Sequence, residues 1–119
     1  MADKIKLFVD DIRPAPEGWQ LARTVTDAIR ILNTQDVSEV SLDHDISHAV
    51  EVNGLARPYP CGETFEPVAR FLAVIGELGY GPDIVYVHTA NAVARANMVQ
   101  ILKGWGDNLI VRQMGPVKR

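Results

Sequence analysis

The chain has 119 residues, 47% hydrophobic and 23% charged, with a net charge of -3 at pH 7. That composition suits one globular domain able to bury its own core and excludes a mainly disordered chain. The acidic balance excludes a global positive field for long nucleic acid or an anionic membrane, so an anionic ligand needs local cations or a metal ion.

Ile5, Leu7 and Val9 alternate with Lys6, Phe8 and Asp10, which predicts a strand ending at Asp10-Asp11. The following Pro-rich stretch, 12–18, is turn chemistry and cannot be helix. Trp19 to Ala22 reads as a short second strand. Thr24 or Thr26 offers an N-cap for a helix running to about Gln35, with Val25, Ala28, Ile29 and Leu32 at helical spacing. Val37 to Asp43 is a third strand, and it ends in Asp43-His44-Asp45.

Residues 46–62 show no clear period and carry the breakers Asn53-Gly54, Pro58 and Pro60. They are expected to form a long loop acting as a lid. Glu63 to Leu78 reads as an amphipathic helix stopped by Gly79 and Gly81. Asp83 to Val87 is a β-branched strand running into His88-Thr89. A helix opens at Asn91 or Ala92, with Val93, Ala96, Ile101, Leu102 and Trp105 as its apolar positions. Leu109 to Arg112 is the last strand, and the tail from Gln113 is too short for a packed helix.

Strands alternating with helices predict a single α/β domain over 1–119 with a mostly parallel sheet. Sites in such sheets form beyond the carboxyl ends of the strands. Those ends carry Asp10-Asp11, Asp43-His44-Asp45, His88-Thr89 and Arg112. The only cysteine, Cys61, permits no internal disulfide, and no signal-peptide pattern or membrane-length apolar run is visible. Both observations predict a cytoplasmic protein with no membrane partner.

The layout resembles a response-regulator receiver domain: an acid pair after the first strand, an Asp ending the third, and Thr89-Ala90 after the fourth. Three departures are informative. Val111-Arg112-Gln113-Met114 replaces the Lys then Pro of receivers, the final helix is missing, and Asp45 would repel an acyl phosphate on Asp43. A narrower resemblance covers nearly the whole chain. Asp10-Asp11-Ile12-Arg13-Pro14, Ser41-Leu42-Asp43-His44-Asp45-Ile46, His88-Thr89-Ala90-Asn91 and Asn97-Met98 resemble the cyclic-phosphate processing receiver-like family. The resemblance implies a three-layer fold with a mostly parallel five-stranded sheet of flavodoxin-like topology. The first helix is replaced by the Pro-rich loop and the last is absent. It also implies a small cyclic phosphate or cyclic nucleotide as ligand.

The residue chemistry is compatible with that substrate. Asp10, Asp11, Asp43 and Asp45 on one rim repel one another unless a hard divalent ion, Mg²⁺ or Mn²⁺, is bound. His88 suits an acid or base role, and His44 either the same role or support of the site from behind. Arg13, the helix start at Thr89 and Asn91, Asn97, and Arg112 in place of the receiver Lys are the candidate phosphate contacts. Trp19 and Trp105 read as core or cleft walls, and Cys61 as structural. Three functions follow. The first is metal-dependent hydrolysis of a cyclic phosphate. The second is a signalling receiver phosphorylated on Asp43. The third is a noncatalytic module that binds a cyclic nucleotide or a protein, with an open sheet edge able to support a homodimer.

Overall fold

The computed structural model describes residues 4–52, 55–89, 92–103 and 110–113, with the backbone alone for 45–52, 55–63 and 113. Strand β1 (Ile5–Val9) enters the Pro-rich loop and β2 (Gln20–Ala22) follows. Gly18, at φ 87°, closes a turn in which the Trp19 N–H donates to the Pro16 carbonyl at 3.0 Å. Helix α1 (Val25–Thr34) is capped by Thr24, whose hydroxyl oxygen accepts the Asp27 N–H at 3.0 Å. Strand β3 (Val37–Leu42), helix α2 (Glu66–Glu77), strand β6 (Ile84–Val87), helix α3 (Ala92–Leu102) and strand β7 (Ile110–Gln113) complete the α/β body.

Residues 46–62, expected as a loop, lie instead within an antiparallel pair, β4 (Asp45–Val52) and β5 (Leu55–Thr64). Pairing of Val52 with Leu55 leaves positions 53–54 between the strands, and Asn-Gly there is a strong two-residue hairpin signal rather than a mere breaker. The pair is rooted in the α/β body where the Phe65 N–H donates to the His44 carbonyl at 2.8 Å. Because β5 runs to Thr64, α2 begins three residues later than the periodicity predicts. Its end is a Schellman motif: Gly79, at φ 86°, donates to Gly76 and Tyr80 to Ile75.

The main sheet has the order β2-β1-β3-β6-β7, every pair parallel. From β2 onward each crossover advances the same way across the sheet, so right-handed connections put all three helices on one face. Leu7, Val9, Val40, Leu42, Val85 and Val87 point to that face and are all 0% exposed. They pack with Ala28 and Ile31 of α1, Val68 and Leu72 of α2, and Met98 and Leu102 of α3. The buried residues of α3 are thus Ala94, Met98 and Leu102; of the expected positions Leu102 is buried and Ile101 packs against the core, while Val93 and Ala96 are exposed. Apolar residues surround this helix, so spacing alone does not reveal which side is buried.

The opposite face carries no helix among the described residues. Its cover there is Trp19, edge-on to Phe8 with centroids 6.3 Å apart and edge-on to Tyr86 at 6.3 Å. The tail beyond 113, the helix end near Trp105, and Asn91 lie outside the described residues, as does the side chain of Cys61. Among the described residues no helix is long and apolar enough to cross a membrane.

Candidate functional site

The chain runs outward from β1 to β2 and then returns past β1 to β3, so the strand order reverses between β1 and β3. Open α/β sheets bind ligands beside such a reversal, at the carboxyl ends of the strands. Asp10 follows β1, Asp43 follows β3 and His88 follows β6, which places all three on adjoining strand ends. One side-chain donor atom from each lies within 4.8 Å of the others.

Asp10 is 1% exposed. Its Oδ1 accepts the N–H groups of Ile12 and Arg13, both at 2.9 Å, which bends the chain into the Pro-rich loop. Its Oδ2 lies 2.9 Å from His88 Nε2. Burial pushes the Asp10 carboxyl up. The bond to His88 and the two backbone N–H bonds outweigh it and hold Asp10 below the usual carboxylate range.

Asp43 is half-buried, and its Oδ1 accepts the His44 N–H at 2.8 Å. Burial and the nearby Asp10 charge push its carboxyl up, and the His44 N–H, His88 and Arg13 only partly offset them. The two carboxylates are therefore unequal. Asp10 is fully supported by hydrogen bonds, while Asp43 carries the electrostatic load of the pair.

That load is what a hard cation relieves, so the donor set fits a divalent ion held by carboxylate oxygens. His88 is less free to ligate. Its side chain is 0% exposed, its Nε2 faces Asp10, and its Nδ1 lies 2.7 Å from Ser41 Oγ. Phe8 stacks on the ring with centroids 4.6 Å apart at 6°. A histidine that braces a ligating carboxylate supports an ion from behind it.

The remaining predicted residues fall in different places. Asp11 is half-buried beside Asp10. Asp45 opens β4 with its backbone paired to Thr64, and its side chain lies outside the described set. His44 is buried, and its Nε2 lies 2.9 Å from Glu66 Oε2. Arg13 reaches from the Pro-rich loop across the rim, and its Nη1 donates to the His88 carbonyl at 3.4 Å. Thr89 is buried, and its carbonyl accepts Arg95 Nη1 at 3.3 Å. Asn97 is exposed on α3, and Arg112 is exposed on β7 in register with Tyr86. Neither donates a hydrogen bond to the Asp10, Asp43 and His88 group.

Sequence reasoning missed Ser41, Glu66, Arg23 and Arg95. Arg23 Nη1 donates to the carbonyls of Asp10, at 3.4 Å, and Arg13, at 3.1 Å, bracing the loop. Ser41 had a signal: it interrupts the apolar run Val40 to Leu42, and strand alternation puts it on the face of His88. Glu66 and Arg95 had none, because helical side chains choose partners by tertiary placement.

The model of the cyclic-phosphate processing receiver domain matches residues 5–104. Neither a curated protein nor a solved structure matches the chain.

Proposed function

Since the chain belongs to the cyclic-phosphate processing receiver family, we propose that its rim site hydrolyses a cyclic phosphate or cyclic nucleotide with a divalent ion, Mg²⁺ or Mn²⁺. The observation that carries this reading is the unequal carboxylate pair at the strand-order reversal, with Asp43 pressed upward by burial and by Asp10. Asp43 and Asp10 would hold the ion, with Asp11 as a neighbour able to add to the oxygen set. When bound, such an ion polarises a phosphodiester and lowers the pKa of water.

The chain's own residues supply the rest. Arg13 uses one N–H on the His88 carbonyl and keeps the others for nonbridging phosphate oxygens. Arg95 reaches the Thr89 carbonyl, one residue beyond His88. Both nitrogens of His88 are committed inside the protein, which leaves it no free atom for an acid or base role.

The test is a panel of 2′,3′- and 3′,5′-cyclic nucleotides incubated with Mn²⁺ or Mg²⁺. Turnover is expected, abolished by chelation and lowered roughly 100-fold or more in Asp43→Asn, since changes behind a metal ligand alone cost 10–100-fold. No turnover in any well, or full turnover in Asp43→Asn, refutes the reading. A phosphoryl group found on Asp43 by intact mass after acetyl phosphate treatment would favour a signalling receiver instead.

A further inference from the structure

Ser41, His88 and Asp10 form one continuous hydrogen-bonded chain, 2.7 Å then 2.9 Å, running from the helix-free face of the sheet up to the rim. All three are buried: Ser41 is 3% exposed, His88 3% and Asp10 1%. The order looks like that of a nucleophilic triad, but a serine inside a strand and closed to solvent cannot attack a substrate. The polarity of the chain points elsewhere.

Asp10 Oδ1 already takes two backbone N–H groups, an arrangement that favours the carboxylate. A carboxylate Oδ2 can only accept, so in the neutral ring the proton sits on Nε2 and is donated to Asp10. Nδ1 is then an acceptor, and the Ser41 hydroxyl is the donor that fills it. Stacking on Phe8 fixes the plane of the imidazole, and the two hydrogen bonds fix its rotation within that plane.

We propose that Ser41 is a positioning residue of the rim site: its hydroxyl fills Nδ1 and fixes the orientation of the His88 ring, and His88 thereby holds Asp10 as an oriented carboxylate for a divalent ion. This rests on the metal-dependent reading above, and it gives His88 a role other than acid–base catalysis. A strand-buried hydroxyl of no reactivity becomes the far end of the ion's support. Ser41→Ala removes the donor, leaves a buried Nδ1 unfilled and loosens the orientation of the ring against Asp10. Ser41→Thr keeps the hydroxyl on a side chain suited to a strand.

The experiment has two readouts that need no turnover. The ring nitrogen chemical shifts of ¹⁵N-labelled wild-type protein should show a protonated Nε2 and an unprotonated Nδ1 on His88. In Ser41→Ala Nε2 should stay protonated while the Nδ1 shift moves to that of an acceptor with no donor, and Ser41→Thr should restore the wild-type Nδ1 shift. Binding of Mn²⁺ alone should weaken roughly 10–100-fold in Ser41→Ala and recover in Ser41→Thr. A protonated Nδ1 in the wild type overturns the proposal, and that measurement stands even where Ser41→Ala fails to fold. Unchanged Mn²⁺ affinity in a folded Ser41→Ala also overturns it. Wild-type protein that binds Mn²⁺ and shows the Nε2–H signature, yet turns over no cyclic phosphate, refutes the hydrolytic reading and leaves the positioning role supported. Absence of Mn²⁺ binding by the wild type overturns both.

Discussion

Along β3, Val40 and Leu42 are wholly buried against helices, while Glu39 and Ser41, which alternate with them, face the other side and carry hydrogen bonds. The same split runs through β6, where Val85 and Val87 join the apolar core and Tyr86 and the following His88 do not. One face of the sheet is thus uniform and apolar, and the other is mixed and hydrogen-bonded. The period of two in a strand lets one sequence meet both demands. The helix-covered face supplies the rigidity. The helix-free face threads polar atoms upward to the rim, where Asp10 and Asp43 meet.

Cutting into the helix-covered face should have the largest effect. Leu42→Ala removes a fully buried side chain next to Ser41 in sequence but on the opposite face of the sheet. It should destabilise the protein by about 2–5 kcal/mol in urea unfolding, from lost burial plus the cavity left behind. The residual folded protein should keep its Mn²⁺ affinity, because Leu42 points away from the carboxylates. A large loss of affinity at modest loss of stability would show that the two faces are not separable.

How much of this division was legible in the sequence depended on how local its cause is. Alternation in Ile5 to Asp10 and Val37 to Asp43 put acids at strand ends, and the structure brings Asp10, Asp43 and His88 together there. The β4 and β5 pair was not legible as strands. A two-stranded ribbon has no third layer to impose a period, and Pro58 and Pro60 interrupt the usual strand signal. The buried stripe of α3 was hidden by apolar residues on all its sides. The distinct settings of His88 and His44 were hidden for another reason. They depend on Ser41 and Glu66, which come from other elements and reach the rings only after folding.

A smaller effect, of opposite sign, is expected at the rim. Asp43 is held above its ordinary value of 3.8, so its ionisation opposes folding of the ion-free protein at neutral pH. Asp43→Asn should therefore raise the Tm in the presence of chelator by roughly 2–5 °C, while removing stabilisation by added Mn²⁺. Asp10 behaves in the reverse sense. Its lowered carboxyl contributes stability above its ordinary value of 3.8, and that stability is lost as pH falls through its lower folded value. With chelator present, the Tm should rise as pH drops from neutral through the raised range of Asp43, then fall below about pH 4 as Asp10 protonates. In Asp43→Asn the rising limb should disappear and the acid limb remain. Persistence of the rising limb in that variant would assign it to other groups and remove the electrostatic case for an ion at the pair.

The smallest effect belongs to the outer part of the helix-free face. Lys6 Nζ lies 3.7 Å from Glu39 Oε2 and 5.8 Å from the centre of the Trp19 ring, with 49% of its side chain exposed. An ion pair this open to solvent gains little net energy, because water and salt screen it and both side chains must be held still. Glu39 also keeps a second partner, since the Tyr86 hydroxyl donates to its Oε1 at 3.1 Å, so losing Lys6 does not strand the carboxylate. Lys6→Met preserves the aliphatic stem over Trp19 and removes only the charge. Its cost should stay under about 0.5 kcal/mol in urea unfolding, and raising the salt concentration should erase what difference remains. A loss near that of Leu42→Ala would mean the charged rim of this face bears load like the packed core. The helix-free face would then be a structural layer in its own right, and its polar atoms could no longer be read as serving mainly the site above them.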